Sequence, residues 1–214
     1  MKVLLVGLSS DGHRKQYLEY IAAVVSQHNQ AVLLCPKACA DDFCVTDKRV
    51  MKTEFEKKRT GKRYVQMLFQ IRKAAIEEKV DIIHFLEADE IYRYFGFGLE
   101  ILSKFRLVMT FHHLYTENWR NTAIQSIMRK IDCSVVHTKM LAEFYSTQLK
   151  HSHIKQIEYP VFDYEELLKI SPIMAKMEYS LPLDKKIIGL LGGTLRYKGY
   201  HYLLENLQYL KKEG

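Results

Sequence analysis

The chain has 214 residues, 48% hydrophobic and 27% charged, with a net charge of +7, the balance of a globular protein with room for one large domain or a domain and a fragment. Its longest apolar runs are five or six residues, so no membrane-crossing helix is predicted, and four cysteines in a chain of this size are not a disulfide framework. Val3 to Leu8 resembles a short signal segment, but Ser9-Ser10-Asp11 ends it too early and no small-residue cleavage site follows, so a cytoplasmic chain is expected.

Val3 to Leu8 is a continuous apolar strand, the pattern of a strand covered on both faces. After Gly12, the residues Leu18, Ile21, Ala22 and Val25 recur at helical spacing. Ala31 to Cys35 predicts a second strand, and a polar, basic loop follows from Pro36 to about Gly61. Tyr64, Leu68, Ile71 and Ala75 then mark one side of a helix. Asp81 to Phe85 is a strand, and Tyr92 to Phe105 a helix interrupted by Gly96 and Gly98. Leu107 to Phe111, Cys133 to Val136 and Ile154 to Ile157 are strands, separated by helices over Asn118 to Lys130 and Met140 to Leu149. Six strands alternating with helices imply an α/β, doubly wound parallel sheet over residues 1–162. Asp163 to Lys186, with Pro172 and Pro182, reads as a connector carrying a short helix. Ile187 to Leu191 reads as one more strand, leading through Gly192-Gly193-Thr194-Leu195-Arg196-Tyr197-Lys198-Gly199 to a helix with Tyr200, Leu203, Leu204, Leu207 and Leu210 on one face. A strand, a glycine turn with cations and a helix form a site for a diphosphate. Only 28 residues follow Lys186, too few for a core of their own, so 187–214 reads as the truncated start of a second domain.

In such sheets the loops after the carboxyl ends of the strands build the ligand site. Gly7 and Gly12 have the outer spacing of a P-loop, but His13-Arg14 stand where Lys and Ser/Thr are required. The dinucleotide fingerprint also fails, because there is no middle glycine and the second strand ends Leu34-Cys35-Pro36 without an acid. A small turn at a helix N-terminus remains, which reads either as backbone N–H groups offered to a substrate or as a plain βα turn. Glu87, Asp89 and Glu90 follow one strand and His112 and His113 the next. They are candidates for acid–base chemistry and, equally, hydrogen-bonded structural groups. No hydrolase motif appears. Cys35, Cys39 and Cys44 lack a second ligand pair and read as loop thiols; no metal is expected. Residues 48–63 hold eight cations against two acids, most of the net charge, with Met51 and Phe55 interleaved. Within this segment Lys57, Lys58, Arg59, Lys62 and Arg63 are candidates for an anionic membrane surface or glycolipid; a solvated loop is the plainer reading. No nucleic-acid motif accompanies the charge.

Together these residues resemble the retaining GT-B glycosyltransferases of the large nucleotide-sugar family that includes lipopolysaccharide and capsule enzymes. Gly193-Thr194-Leu195-Arg196-Tyr197-Lys198-Gly199 is close to that family's donor loop, without the proline it carries between Arg and Tyr. Val108-Met109-Thr110-Phe111-His112 looks like its Thr-x-His strand end, and Val80-Asp81-Ile82-Ile83-His84 like its Asp-Ile-Ile-His strand. The resemblance implies an N-terminal half that binds a glycan or glycolipid acceptor and a C-terminal half that binds a nucleotide sugar, with no further cofactor. It implies that His112 faces the transferred sugar, that Arg196 and Lys198 with Gly12 neutralise the leaving diphosphate in place of a metal, and that Asp11, His13 and Glu87 contact the acceptor. The family's acidic donor motif has no counterpart before Gly214. The expected function is therefore the N-terminal portion of a sugar transferase, inactive alone, in the cytoplasm and peripheral at the inner face of the membrane. The alternative is a non-catalytic acceptor-binding, membrane-docking subunit that works with a separate donor-binding chain. A basic Rossmann-like binding domain of another kind is the third option. The leucines of the tail call for a covering partner, a second copy of the chain included.

Overall fold

A computed structural model describes residues 1–9, 13–40, 47–51, 60–115, 117–159, 169–189 and 199–210. The chain divides into two compact units, Met1–Val161 and Phe162–Gly214. In the first, the described residues form a seven-stranded sheet: β1 (Lys2–Val6), β2 (Gln30–Pro36), β3 (Lys48–Met51), β4 (Ile82–Phe85), β5 (Arg106–Phe111), β6 (Cys133–Val136) and β7 (Ile154–Gln156). Its order is β3-β2-β1-β4-β5-β6-β7 and every pair is parallel. The helices are α1 (His13–Ser26), α2 (Lys37–Ala40), α3 (Gly61–Glu77), α4 (Asn118–Met128) and α5 (Lys139–Thr147). The chain winds outward from β1 to β3 and then, after crossing back, from β4 to β7. The crevice at the point of reversal lies beyond the carboxyl ends of β1 and β4.

Side chains alternate between the faces of each strand, and two cores follow from that alternation. Leu4, Val6, Ile83, Phe85, Met109, Phe111 and Val136 point to the face covered by α3, α4 and α5, where Tyr64, Leu68, Ile71, Ile127 and Tyr145 meet them. Val3, Leu5, Leu33 and Cys35 point to the other face, against Tyr17, Leu18, Ile21 and Ala22 of α1. Each leucine fully buried here stabilises the fold by about 1.5–3 kcal/mol. Thr60 caps α3 by accepting from the Arg63 amide at 3.4 Å, and the helix stops where Lys79 turns left-handed at φ 53°. At the crevice end of β1, a Cβ on Gly7 would stand 2.8 Å from Leu18 Cδ2, so α1 packs there against bare backbone.

Three expectations are corrected. The loop after Pro36 contains α2 and the edge strand β3, whose Lys48-Arg49-Val50-Met51 sequence carries too little apolar pattern to announce a strand. Among the described residues β3 pairs only with β2, so a strand half open to water tolerates those charges. Tyr92 to Phe105 is a series of 3-10 turns rather than an interrupted helix, because Phe95, Gly96 and Gly98 all take positive φ. Cys35 and Cys39 are buried in the α1-side core rather than in a loop, and burial pushes the Cys35 thiol up to about 12. Cys44 lies outside the described residues.

The second unit contains α6 (Pro172–Glu178), with Pro172 at its first turn and Ser171 capping the Met174 amide, and α7 (Tyr200–Leu210). Ile187 and Ile188 are exposed and belong to no strand. Residues 190–198, which hold the rest of the expected strand and the cationic turn, lie outside the described residues.

Candidate functional site

The carboxyl ends of β1, β4, β5 and β6 bring one polar cluster together. On β5 the alternation that sends Met109 and Phe111 into the larger core sends Thr110 and then His112 to the α1 side, next to His84 of β4. His84 Nε2 and Thr110 Oγ1 are 2.8 Å apart. Burial, with His137 and His112 nearby, depresses His84 to about 4 and keeps it neutral. His112 Nε2 lies 2.7 Å from the Leu86 carbonyl; a carbonyl only accepts, so the proton sits on Nε2. His137 is held the same way through Nδ1, which donates to the Ile157 carbonyl at 2.9 Å. Its Nε2 is buried without a hydrogen-bond partner among the described residues, and burial lowers its pKa.

Two tyrosines close over this row. Tyr17 of α1 and Tyr159 beyond β7 stack at 5.3 Å, and Tyr17 stands edge-on to both His112 and His137 at 5.2 Å. The rings of His112 and His137 are 5.1 Å apart. Sequence periodicity identifies neither tyrosine. Tyr17 shares a helix face with Leu18 and Ile21, and Tyr159 is brought in only by the path of the chain after β7.

The acids after β4 form the second part. Glu87, only 4% exposed, accepts from the Leu8 amide at 2.8 Å, and Arg14 of α1 stands 3.8 Å from its other oxygen. Arg14 also pairs with Glu90 at 2.5 Å. Burial raises the Glu87 carboxyl to about 7 against the opposing pull of Arg14 and the Leu8 amide. Asp89 accepts from the His112 amide at 2.6 Å, and burial raises it to about 6, opposed by that amide bond and by His113 and Tyr115. The carboxylates thus fix the backbone of both neighbouring loops: Glu87 holds the turn after β1, and Asp89 holds His112. His113, the other strand-end histidine, is exposed, and its carbonyl accepts from Tyr145 at 3.2 Å. Beside it, Arg120 lies 5.0–5.5 Å from the rings of Tyr92, Tyr115 and Trp119, and Trp119 is 47% exposed.

His112 and Glu87 are therefore brought to one crevice. Of the other expected site residues, Asp11, Gly12, Lys57, Lys58, Arg59, Arg196 and Lys198, and the side chain of His13, lie outside the described residues. Lys62 and Arg63 sit at the start of α3. Arg49, counted in the basic segment, is bound to Glu77 at 2.5 Å and Glu78 at 2.6 Å. No group of three ligating side chains converges on one point among the described residues.

Over 99% of its length the chain superposes on a crystal structure of a glycosyltransferase from Rickettsia africae ESF-5, covering 57% of that chain, with a TM-score of 0.68 at 18% identity. An alpha-glucosyltransferase in complex with UDP and a 13-mer DNA containing a central A:G mismatch is similar more loosely, with a TM-score of 0.49 at 14% identity over 100% of this chain and 53% of that one. An alpha-glucosyltransferase in complex with UDP gives a TM-score of 0.42 at 14% identity, over 75% and 44%. No protein-family model and no curated protein matches the sequence. The chain shares the α/β fold of the Rickettsia africae protein and spans little more than half of its length.

Proposed function

We propose that residues 1–161 are the acceptor-binding half of a retaining GT-B glycosyltransferase, which moves a sugar from a nucleotide donor to a glycan or glycolipid hydroxyl. The observation that carries this reading is His112. It stands at the crevice end of β5, its tautomer set by Leu86 and its backbone held by Asp89, in a sheet whose fold coincides with that of a glycosyltransferase. In the transfer, the bond from the sugar's anomeric carbon to the donor diphosphate breaks and one to the acceptor oxygen forms. The electron pair of the broken bond goes to the departing diphosphate oxygen, and that diphosphate takes up the proton the acceptor hydroxyl gives up. His112 contacts the transferred sugar. Glu87, which accepts from the Leu8 amide after β1, contacts the acceptor together with Asp11 and His13. Arg196 and Lys198, with Gly12, meet the developing charge on the diphosphate; such fixed charges are a large catalytic contribution. These roles rest on the sequence resemblance. The cations Lys57, Lys58, Arg59, Lys62 and Arg63 hold the chain against anionic lipid headgroups, where a glycolipid acceptor is found.

The test compares the chain with a version extended through a full donor-binding half, using UDP-glucose and other nucleotide sugars as probes. The extended protein is expected to bind a donor and transfer, and residues 1–214 alone to transfer negligibly. In the extended protein H112A is expected to lower kcat about 100-fold with donor affinity little changed. Turnover by 1–214 alone comparable to the extended protein contradicts the two-half reading. An unchanged kcat in H112A removes the assigned role of His112. Donor binding without transfer to any glycan or glycolipid favours the non-catalytic subunit instead.

A further inference from the structure

We infer that the turn after β4 and the first turn of α4 form a binding site for an acidic sugar residue, with Trp119 under the sugar ring and Arg93 and Arg120 on its carboxylate. The ligand class rests on the glycosyltransferase reading and narrows its acceptor to an anionic glycan.

Both segments follow strands whose carboxyl ends build ligand sites. Tyr92 and Arg93 come after β4, and Tyr115, Trp119 and Arg120 after β5. Tyr92 is buried and serves as the floor, its ring centroid 5.4 Å from Tyr115 and 5.5 Å from Trp119. Of these three rings only Trp119 is exposed. Tryptophan is highly buried on average, so an indole held by a tyrosine and a guanidinium, yet open to water, is a preformed apolar surface. A pyranose presents a face of C–H bonds that complements such a surface. Because the indole is held in place beforehand, little ordering opposes the contact.

Charge decides the class of sugar. Arg120 lies 5.0 Å from the Tyr115 ring and 5.4 Å from that of Trp119. Among the described residues its carboxylate partner is Glu117, 3.3 Å from Nη1 and itself 44% exposed, and its buried Nε has no hydrogen-bond partner. A guanidinium carries five N–H donors, so one solvated ion pair leaves most of them unused. Arg93 is exposed, donates from Nε to the Tyr92 hydroxyl at 3.2 Å and stands 5.7 Å from that ring. Glu90, the acid whose charge it feels, is paired with Arg14. Two cations therefore border one open indole against a single solvated acid. A sugar carboxylate accepts from them in the fork geometry that arginine offers. A cationic ligand is repelled, and a nucleic-acid strand calls for a succession of open rings rather than one.

The experiment is isothermal titration of the full chain, without donor, using tetragalacturonic acid and its carboxyl-reduced neutral counterpart. The acid is expected to bind about tenfold more tightly than the neutral sugar, with a preference that shrinks in high salt. W119A is expected to weaken both about tenfold with an unchanged far-UV spectrum. R93Q/R120K keeps a cation over the rings and is expected to lose most of the preference, because an ammonium cannot reproduce the fork. Equal affinity for the two sugars overturns the anionic class, and full affinity in W119A overturns the platform. Failure of both sugars to bind overturns the site, and an oligothymidylate bound in their place assigns the rings to nucleic acid. With no donor present, these outcomes separate from transfer. Binding of the acid without transfer by the extended protein keeps the site and removes the glycosyltransferase reading; transfer to neutral glycans alone does the reverse.

Discussion

The two edges of the sheet treat carboxylates in opposite ways. At the amino edge Glu78 lies between Lys2 at 2.8 Å and Arg49 at 2.6 Å, and their hydrogen bonds hold its carboxyl below the usual range. At the carboxyl edge burial dominates: Glu87 is raised to about 7 and Asp89 to about 6, although each accepts a backbone N–H. The amino edge is partly exposed to water, and ion pairs are affordable there because little desolvation opposes them. The carboxyl edge lies under Tyr17, Tyr159 and the β4–β5 loops, where a charge loses its hydration before any partner compensates. One edge is built for attachment and the other holds groups that change protonation near neutrality.

Breaking the Asp89 contact is expected to have the largest effect. D89A leaves the His112 amide without its acceptor and is predicted to cost about 2–3 kcal/mol in urea unfolding at pH 7. D89N keeps an oxygen for that amide and relieves a buried charge, so it is predicted to stay within about 1 kcal/mol of the natural chain. Equal losses in both would show that the carboxylate charge, rather than the hydrogen bond, holds the loop.

Next is the pH dependence. The folded pKa values of Glu87 and Asp89 lie above their unfolded values, so their stabilising contribution is complete below pH 4 and is lost as pH rises through 6 to 7. The buried His84, whose folded pKa is lowered, contributes with the opposite sign, so the test is the difference between chains: E87Q is predicted to lose stability less steeply with rising pH than the natural chain. Unfolding midpoints of both chains at pH 4.5, 6 and 8 check this; parallel pH profiles would mean that Glu87 is not held protonated by burial.

Removing Arg14 sharpens the contrast further. R14A takes away the cation that opposes burial at Glu87, so the Glu87 titration followed by carboxyl carbon NMR is predicted to move above its present position near 7. The smallest effect is expected at the amino edge. E78Q is predicted to cost up to about 1 kcal/mol at pH 7, and less in high salt. Because the folded pKa of Glu78 is lowered, that contribution is present above the unfolded value and disappears on acidification.

How far the sequence foretold these edges depends on where apolar pattern was available. The strands β1, β2, β4, β5 and β6 are written as apolar runs because helices or neighbouring strands cover them, and the helix stripes of α3 and α4 match their buried residues. β3 was illegible because an edge strand needs only one good neighbour. The 3-10 turns of 92–102 mimic helix periodicity through Leu99 and Leu102, while the left-handed Phe95 carries no signal in residue type. At the site, His112 could be placed by its position after an apolar strand. Its partners could not. Tyr17 and Tyr159 are far apart in the chain, and the choice of Glu87 and Asp89 as backbone acceptors is made by the turn itself.

The arrangement around Arg120 gives this molecule a built-in optical reporter. Trp119 is the sole tryptophan among 214 residues, half in water and half against Tyr92 and a guanidinium, one turn from the loop that follows His112. Red-edge excitation therefore reads a single spot beside Tyr92 and Arg120 at the start of α4, with no second indole to subtract. A ligand that settles beside the β5 loop should change that emission, and one that settles at the amino edge should leave it unmoved.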